Sequence, residues 1–181
     1  MGEMPNTRFL FLSLALCCAA GSARAATAGG EAMFEHLRLF IDGTSSSQQA
    51  DQCVSALGEL RSALEGGNGP DAVRSEGSTM LMYASWNGGR EAVQLLLKHG
   101  ADPNLTDADG ETALMAAASM GWAKIAIDLL VRGADLLAKN KRGQGALAMA
   151  REGGYAKVVV VLEEAHQQGV GFLLSKYKSD L

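Results

Sequence analysis

Apolar residues in this chain fall into short runs at helical spacing, and from residue 75 onward the pattern itself recurs. Three segments align: EGSTMLMYASWNGGREAVQLLLKHGADPN from Glu76, DGETALMAAASMGWAKIAIDLLVRGADLL from Asp109, and RGQGALAMAREGGYAKVVVVLEEAHQQGV from Arg142. Gly77, Gly110 and Gly143 stand 33 residues apart, as do Leu81, Leu114 and Leu147; Ala84, Ala117 and Ala150; Gly88, Gly121 and Gly154; and Leu96, Leu129 and Leu162. A fixed period of this length marks an array of like units, none of which buries its apolar face alone. Gly88, Gly121 and Gly154 divide the apolar positions of each unit into two stretches, at a place where a turn residue with positive φ is often needed. Leu95, Leu96 and Leu97, and Leu129 with Leu130, supply the apolar face of the second stretch, and Gly100-Ala101-Asp102 and Gly133-Ala134-Asp135 follow it with a glycine suited to cap a helix.

Upstream, residues 32–41 (AMFEHLRLFI) and 48–64 also carry helical apolar spacing, with DGTSSS as the linker between them. Gly67 lies 33 residues before Gly100, which makes the second of these segments the tail of a diverged capping repeat. Cys53 shares a stripe with Leu57, Leu60 and Leu64, the pattern of a buried thiol. At the other end, residues 170–177 (VGFLLSKY) form an apolar piece able to fold back on the last repeat.

The amino terminus decides which residues count as mature protein. A short n-region with one arginine precedes the apolar run FLFLSLALCCAA at 9–20, and small residues lead to Ala23-Arg24-Ala25. That order is a secretory signal peptide with cleavage expected after Ala25, and its core is too short for a membrane-spanning helix. The remaining 156 residues carry 14 basic and 19 acidic side chains, a net charge of −5. Mild acidity argues against nucleic acid as a partner, because phosphate binding needs a concentrated basic surface. Cys17 and Cys18 leave with the signal, so no internal disulfide can form and the core must hold the fold.

The order D-x-x-G-x-T-x-L-x-x-A-x-x-x-G, an apolar stretch, then G-A-D, on a 33-residue unit, resembles the ankyrin repeat. The resemblance implies an all-α solenoid of stacked antiparallel helix pairs joined by β-turn hairpins. It divides the chain into a signal at 1–25, amino-terminal helices and a diverged cap at 26–74, repeats at 75–107 and 108–140, a capping repeat at 141–168, and a tail at 169–181. This chain departs from the family's T-P-L-H: Met80, Ala113 and Ala146 replace the proline, and Met82, Met115 and Ala148 replace the histidine that normally links repeats. Packing is expected to substitute for that histidine.

What the resemblance implies for function is a protein partner held at the hairpin tips and the exposed side of the first helices, on the concave surface. Carried over by position, the hairpin residues are Ser75, Glu76 and Ser78, then Ala108, Asp109 and Glu111, then Lys141, Arg142 and Gln144. The helix positions are Trp86 and Asn87, Ser119 and Met120, and Glu152. Charge along this surface runs from acidic to basic, with Trp86 and Met120 as apolar points. Trp86 is either a binding hot spot or a packing residue. Trp122 and Tyr155, in the column of Gly89, are expected to pack between repeats. Ile127 and Val160 share a column that residues 170–177 are expected to cover.

Catalytic chemistry finds little footing. His36, His99 and His166 lie near no nucleophile in sequence, and there is no GxSxG, HExxH, P-loop or CxxC. No catalytic residue, metal ligand or cofactor is assigned, and a monomeric, non-enzymatic adaptor of the secretory pathway is the preferred reading. The alternatives are a periplasmic or secreted factor that protects or regulates an enzyme and, last, a small enzyme. Asn104-Leu105-Thr106 is an N-glycosylation sequon, although Asn104 also stands where the family braces its turn. The chain ends Lys178-Ser179-Asp180-Leu181, a degenerate form of the K-D-E-L retrieval signal. Together with the signal peptide it favours the lumen of the endoplasmic reticulum over secretion or a periplasm.

Overall fold

The computed structural model describes residues 58, 60–62, 64–66, 69–73 and 77–177. The expected signal peptide, the 32–41 helix, most of the 48–64 helix, Cys53, His36, Ser75, Glu76 and the terminal Lys178, Ser179, Asp180 and Leu181 lie outside the described residues.

From Met80 onward, seven helices follow one another: α1 Met80–Asn87, α2 Arg90–Lys98, α3 Ala113–Ser119, α4 Ala123–Val131, α5 Ala146–Glu152, α6 Ala156–Gln168 and α7 Val170–Lys176. They pair as α1/α2, α3/α4 and α5/α6. The first members, α1, α3 and α5, stack into an inner row; α2, α4 and α6 stack into an outer row, and α7 packs on α4 and α6. Buried residues from Leu60 to Leu173 make one continuous core.

The helix ends explain why the period is so strict. At the ends of the inner helices, the backbone N–H groups of Gly89, Trp122 and Tyr155 donate to the carbonyls of Ala84, Ala117 and Ala150 at 3.0 Å in every case. Each bond spans a glycine in the left-handed region, Gly88 (φ 81°), Gly121 (φ 82°) and Gly154 (φ 73°), as the turn requires. The outer helices α2 and α4 end in Schellman geometry: Ala101 N–H donates to Leu96 and Ala134 N–H to Leu129, both at 3.0 Å. Thr79 and Thr112 cap α1 and α3 through their hydroxyls, which accept from Met82 N at 3.2 Å and Met115 N at 3.4 Å. The Met82 thioether also accepts from Thr79 N at 3.5 Å. The methionine in place of the family's histidine thus closes its own capping box, while packing does the rest: Met82 and Met115 are both buried. Gly145, at the same position in the last repeat, supplies no side-chain cap.

Residues 170–177 do fold back, and Leu173 is fully buried beneath α7. Lys176 of α7 pairs with Glu164 of α6. The hydrogen bond that the ammonium donates to the Glu164 carboxylate holds the lysine pKa above its ordinary 10.5, so the pair is intact at neutral pH and is lost only as pH climbs through that raised value. The expected cover of the Ile127/Val160 column is incomplete. Ile127 is buried, but Val160 is 46% exposed. Val160 thus stays open to solvent although α7 packs on the helices that carry both residues.

The amino-terminal cap is legible in its described part. Residues 60–62, 64 and 65 are helical, and Leu60 and Leu64 join the core. The Asp71 carboxylate accepts from Asp102 N at 2.9 Å, and 33 residues later Asn104 Oδ1 accepts from Asp135 N at 2.7 Å. The same bracket therefore precedes the first full repeat.

Candidate functional site

The hairpins are built around one side chain each. Asp107 Oδ1 accepts from the backbone of Asp109 and Glu111, both at 2.9 Å; Asn140 Oδ1 accepts from Arg142 and Gln144, both at 3.0 Å. Such Asx bracing fixes the tip without needing a strand. Adjacent tips are then joined, since Lys141 N donates to the Asp109 carbonyl at 2.9 Å. Gly110 permits this approach, because a Cβ there would lie 3.3 Å from Lys141 N.

Two of the predicted charged residues turn toward each other across that joint. Arg142 Nη2 meets Glu111 Oε1 at 2.9 Å, with the arginine side chain 68% exposed and the glutamate 18%. Gln144 Nε2 donates to both carboxylate oxygens of Glu152, at 2.9 and 3.1 Å. The acidic-to-basic run is therefore partly neutralised within the protein. Lys141 and Asp109 remain exposed, with no ion pair of their own among the described residues. Ser78 is half-buried beside the first hairpin.

The inner helices offer less surface than expected. Ala113 through Ala118 are all buried in α3, so between the hairpins and the helix ends it presents small, enclosed side chains. Exposure returns only at the carboxyl ends. Asn87 Nδ2 donates to Tyr83 O at 2.9 Å and Ser119 Oγ to Ala116 O at 2.9 Å, so both serve their own helix. Met120 is half-buried, and Trp86 is 47% exposed.

Trp86 and Trp122 form a single feature. The Trp122 indole N–H donates to the Trp86 carbonyl at 3.0 Å, across one repeat. Its ring lies over Gly88, where a Cβ would come within 2.6 Å of it. Tyr155 repeats the arrangement one unit on, with a Cβ on Gly121 falling 2.4 Å from its ring. Trp122 and Tyr155 thus brace neighbouring repeats, as expected, but Trp122 keeps 41% exposure. The Trp86 ring takes no part in the bracket, which uses only its carbonyl. A two-tryptophan apolar ledge results at the helix-turn end of the stack.

Asn104 is occupied structurally: Nδ2 donates to Gly133 O at 3.1 Å while Oδ1 accepts from Asp135. One group that sequence reasoning missed lies on the outer row. Arg90 forks onto Asp128, Nε to Oδ2 at 2.7 Å and Nη2 to Oδ1 at 3.1 Å, and Gln94 Nε2 adds a third bond at 3.2 Å. Asp128 is 5% exposed. The signal was present in the repeat columns: Asp128 interrupts a buried column held elsewhere by Leu95 and Val161, and Arg90 stands where the other copies have Ala123 and Ala156.

Stacked helix pairs with joined hairpins and glycine-turned ends define a repeat solenoid. The family model for ankyrin repeats in three copies matches residues 45–107 and 81–170. The chain belongs to the ankyrin-repeat family, a fold that serves protein–protein interaction. No curated protein matches it significantly. Among the described residues, no helix is long and apolar enough to cross a membrane, and no cluster of histidine, cysteine, aspartate and glutamate could hold a metal ion.

Proposed function

We propose that this protein is a non-enzymatic adaptor of the secretory pathway that engages another protein through its inner surface, centred on the Trp86/Trp122 ledge. The observation that carries the reading is the exposure of Trp86 in spite of its neighbour's bracket: Trp122 holds the backbone of residue 86 and leaves the indole ring outward. A large aromatic kept at the surface by a fixed backbone is a pre-organised anchor, and such anchors carry a disproportionate share of binding energy. Lys141 and Asp109 at the hairpin tips supply charge on either side of the joint, where they would set orientation more than affinity. The secretory assignment rests on residues 1–25 and on the terminal K-S-D-L, which together describe a chain that enters the lumen and is retrieved.

Trp86→Ala tests the anchor cleanly, because alanine keeps the carbonyl that Trp122 uses. Co-purification of the partner should fall by at least tenfold, the range of a hot-spot truncation of roughly 2 kcal/mol or more. Thermal stability should stay unchanged. An undiminished yield of partner from a stable Trp86→Ala protein would remove this site.

A further inference from the structure

The outer row carries a groove that the reading above does not use. It runs between α2 and α4, with a volume of about 430 Å³, and is lined by Gln94, Leu97, Lys98, Asp128, Val131 and Arg132, with Leu174 of α7 as its end wall. Residues 94, 97 and 98 and residues 128, 131 and 132 follow the same i, i+3, i+4 spacing, so one continuous face of each helix meets the other. Leu97 and Val131 give the groove apolar sides, and Leu174 stays 42% exposed.

Its charge is decided by the buried pair at its floor. The Asp128 carboxylate is taken by the forked Arg90 and by Gln94. Lys98 and Arg132 remain on the rim, exposed and without an ion pair among the described residues, so the groove is net cationic around an apolar interior. The protein also shows what this row accepts. In the neighbouring position α7, a short amphipathic helix, lies against α4 and α6, sinks Leu173 completely and closes with the Lys176–Glu164 pair. Helix-in-groove recognition places apolar anchors at i, i+3, i+4 and i+7 and leaves the flanks to charge. In the α2/α4 groove the cations lie on the receptor side, so the complementary helix must bring acids.

We infer that the α2/α4 groove docks an acidic amphipathic helix of a partner protein, beside α7 and independently of the inner surface. The probe is a designed fluorescent peptide with leucines at helical i, i+3, i+4 and i+7 and glutamates on the flanks, with a twin carrying lysine for every glutamate. Anisotropy titration against the full chain should show the acidic probe binding about tenfold more tightly than its twin, as expected where charge sets the choice of partner. Lys98→Glu with Arg132→Glu should reverse that preference. Both residues are exposed, and unchanged thermal melting confirms that the variant folds. Leu174→Ser should weaken both peptides several-fold, and Trp86→Ala should alter neither, which separates this site from the inner surface. No binding of the acidic probe up to about 100 μM, weaker than any useful helix-groove contact, overturns the inference, as does equal affinity of the twins or indifference to charge reversal. Competition by an unlabelled peptide of residues 31–41 would name the chain's own segment as occupant and overturn it. A dimer that excludes the probe and is broken by Leu174→Ser would name a second copy instead and overturn it likewise.

Discussion

Adding one methyl group at three equivalent glycines separates two physical demands that the repeat superimposes. Gly88, Gly121 and Gly154 all sit at positive φ. Alanine at any of them incurs a left-handed backbone cost of about 1–2 kcal/mol. At Gly154 that is the whole cost, since nothing lies within 4 Å of the added Cβ. At Gly88 the Cβ would also stand 2.6 Å from the Trp122 ring, and at Gly121 it would stand 2.4 Å from the ring of Tyr155. Trp122 cannot withdraw without losing its 3.0 Å bond to Trp86. That bond contributes about 1 kcal/mol, before any lost packing. Gly88→Ala should therefore cost about 3 kcal/mol once lost packing is included, against 1–2 for Gly154→Ala, while Gly121→Ala should exceed Gly154→Ala only by the packing of the displaced Tyr155 ring. Urea unfolding followed by circular dichroism reads this directly: with a slope near 2 kcal/mol per molar, the midpoint should drop by about 1.5 M at Gly88 and by about 0.5–1 M at Gly154. In a Trp122→Ala background the Gly88 penalty should shrink to the Gly154 level, a coupling that a double-mutant cycle isolates. Equal midpoints for Gly88→Ala and Gly154→Ala, or additivity with Trp122→Ala, would refute the claim that the aromatic rings lock the turns.

Arg90→Ala should cost about 2–3 kcal/mol in the same unfolding assay, because it strands the Asp128 carboxylate at 5% exposure, whereas Arg90→Met with Asp128→Leu should recover most of the loss. Asn104→Ala should lose about 1–2 kcal/mol through its two bridges to the next repeat, while Thr106→Ala, which removes the sequon alone, should change stability by less than about 0.5 kcal/mol. Deleting residues 178–181 should move the protein from the cells to the medium, as measured by immunoblot of both fractions; an unchanged distribution would exclude retrieval by K-S-D-L.

The solenoid was legible because its determinants are local and repeated. Gly100 and Gly133 terminate, and Gly88, Gly121 and Gly154 turn, each within a few residues of its partner, so spacing alone identifies them; the Thr79 and Thr112 caps are as local but were not singled out in the sequence. The bracing role of Trp122 and Tyr155 was also readable, since an aromatic column beside a glycine column leaves the rings one place to lie. What escaped were relations between copies. Arg90 and Asp128 are 38 positions apart, and their pairing follows from helix stacking rather than from period. The neutralisation of Arg142 by Glu111 belongs to the same class: both were assigned to the binding surface from their columns, yet hairpin contact places them on each other. Val160 belongs there too: it stayed exposed although α7 packs on α6, the helix that carries it.

Quantitative co-purification of three forms of the full chain bears most directly on the adaptor reading: wild type, Trp86→Ala, and Lys98→Glu with Arg132→Glu, each matched for melting temperature. The account predicts a lumenal protein recovered with wild type, lost with Trp86→Ala, and retained with the charge-reversed outer groove. Recovery that survives Trp86→Ala in a fully folded protein would contradict it.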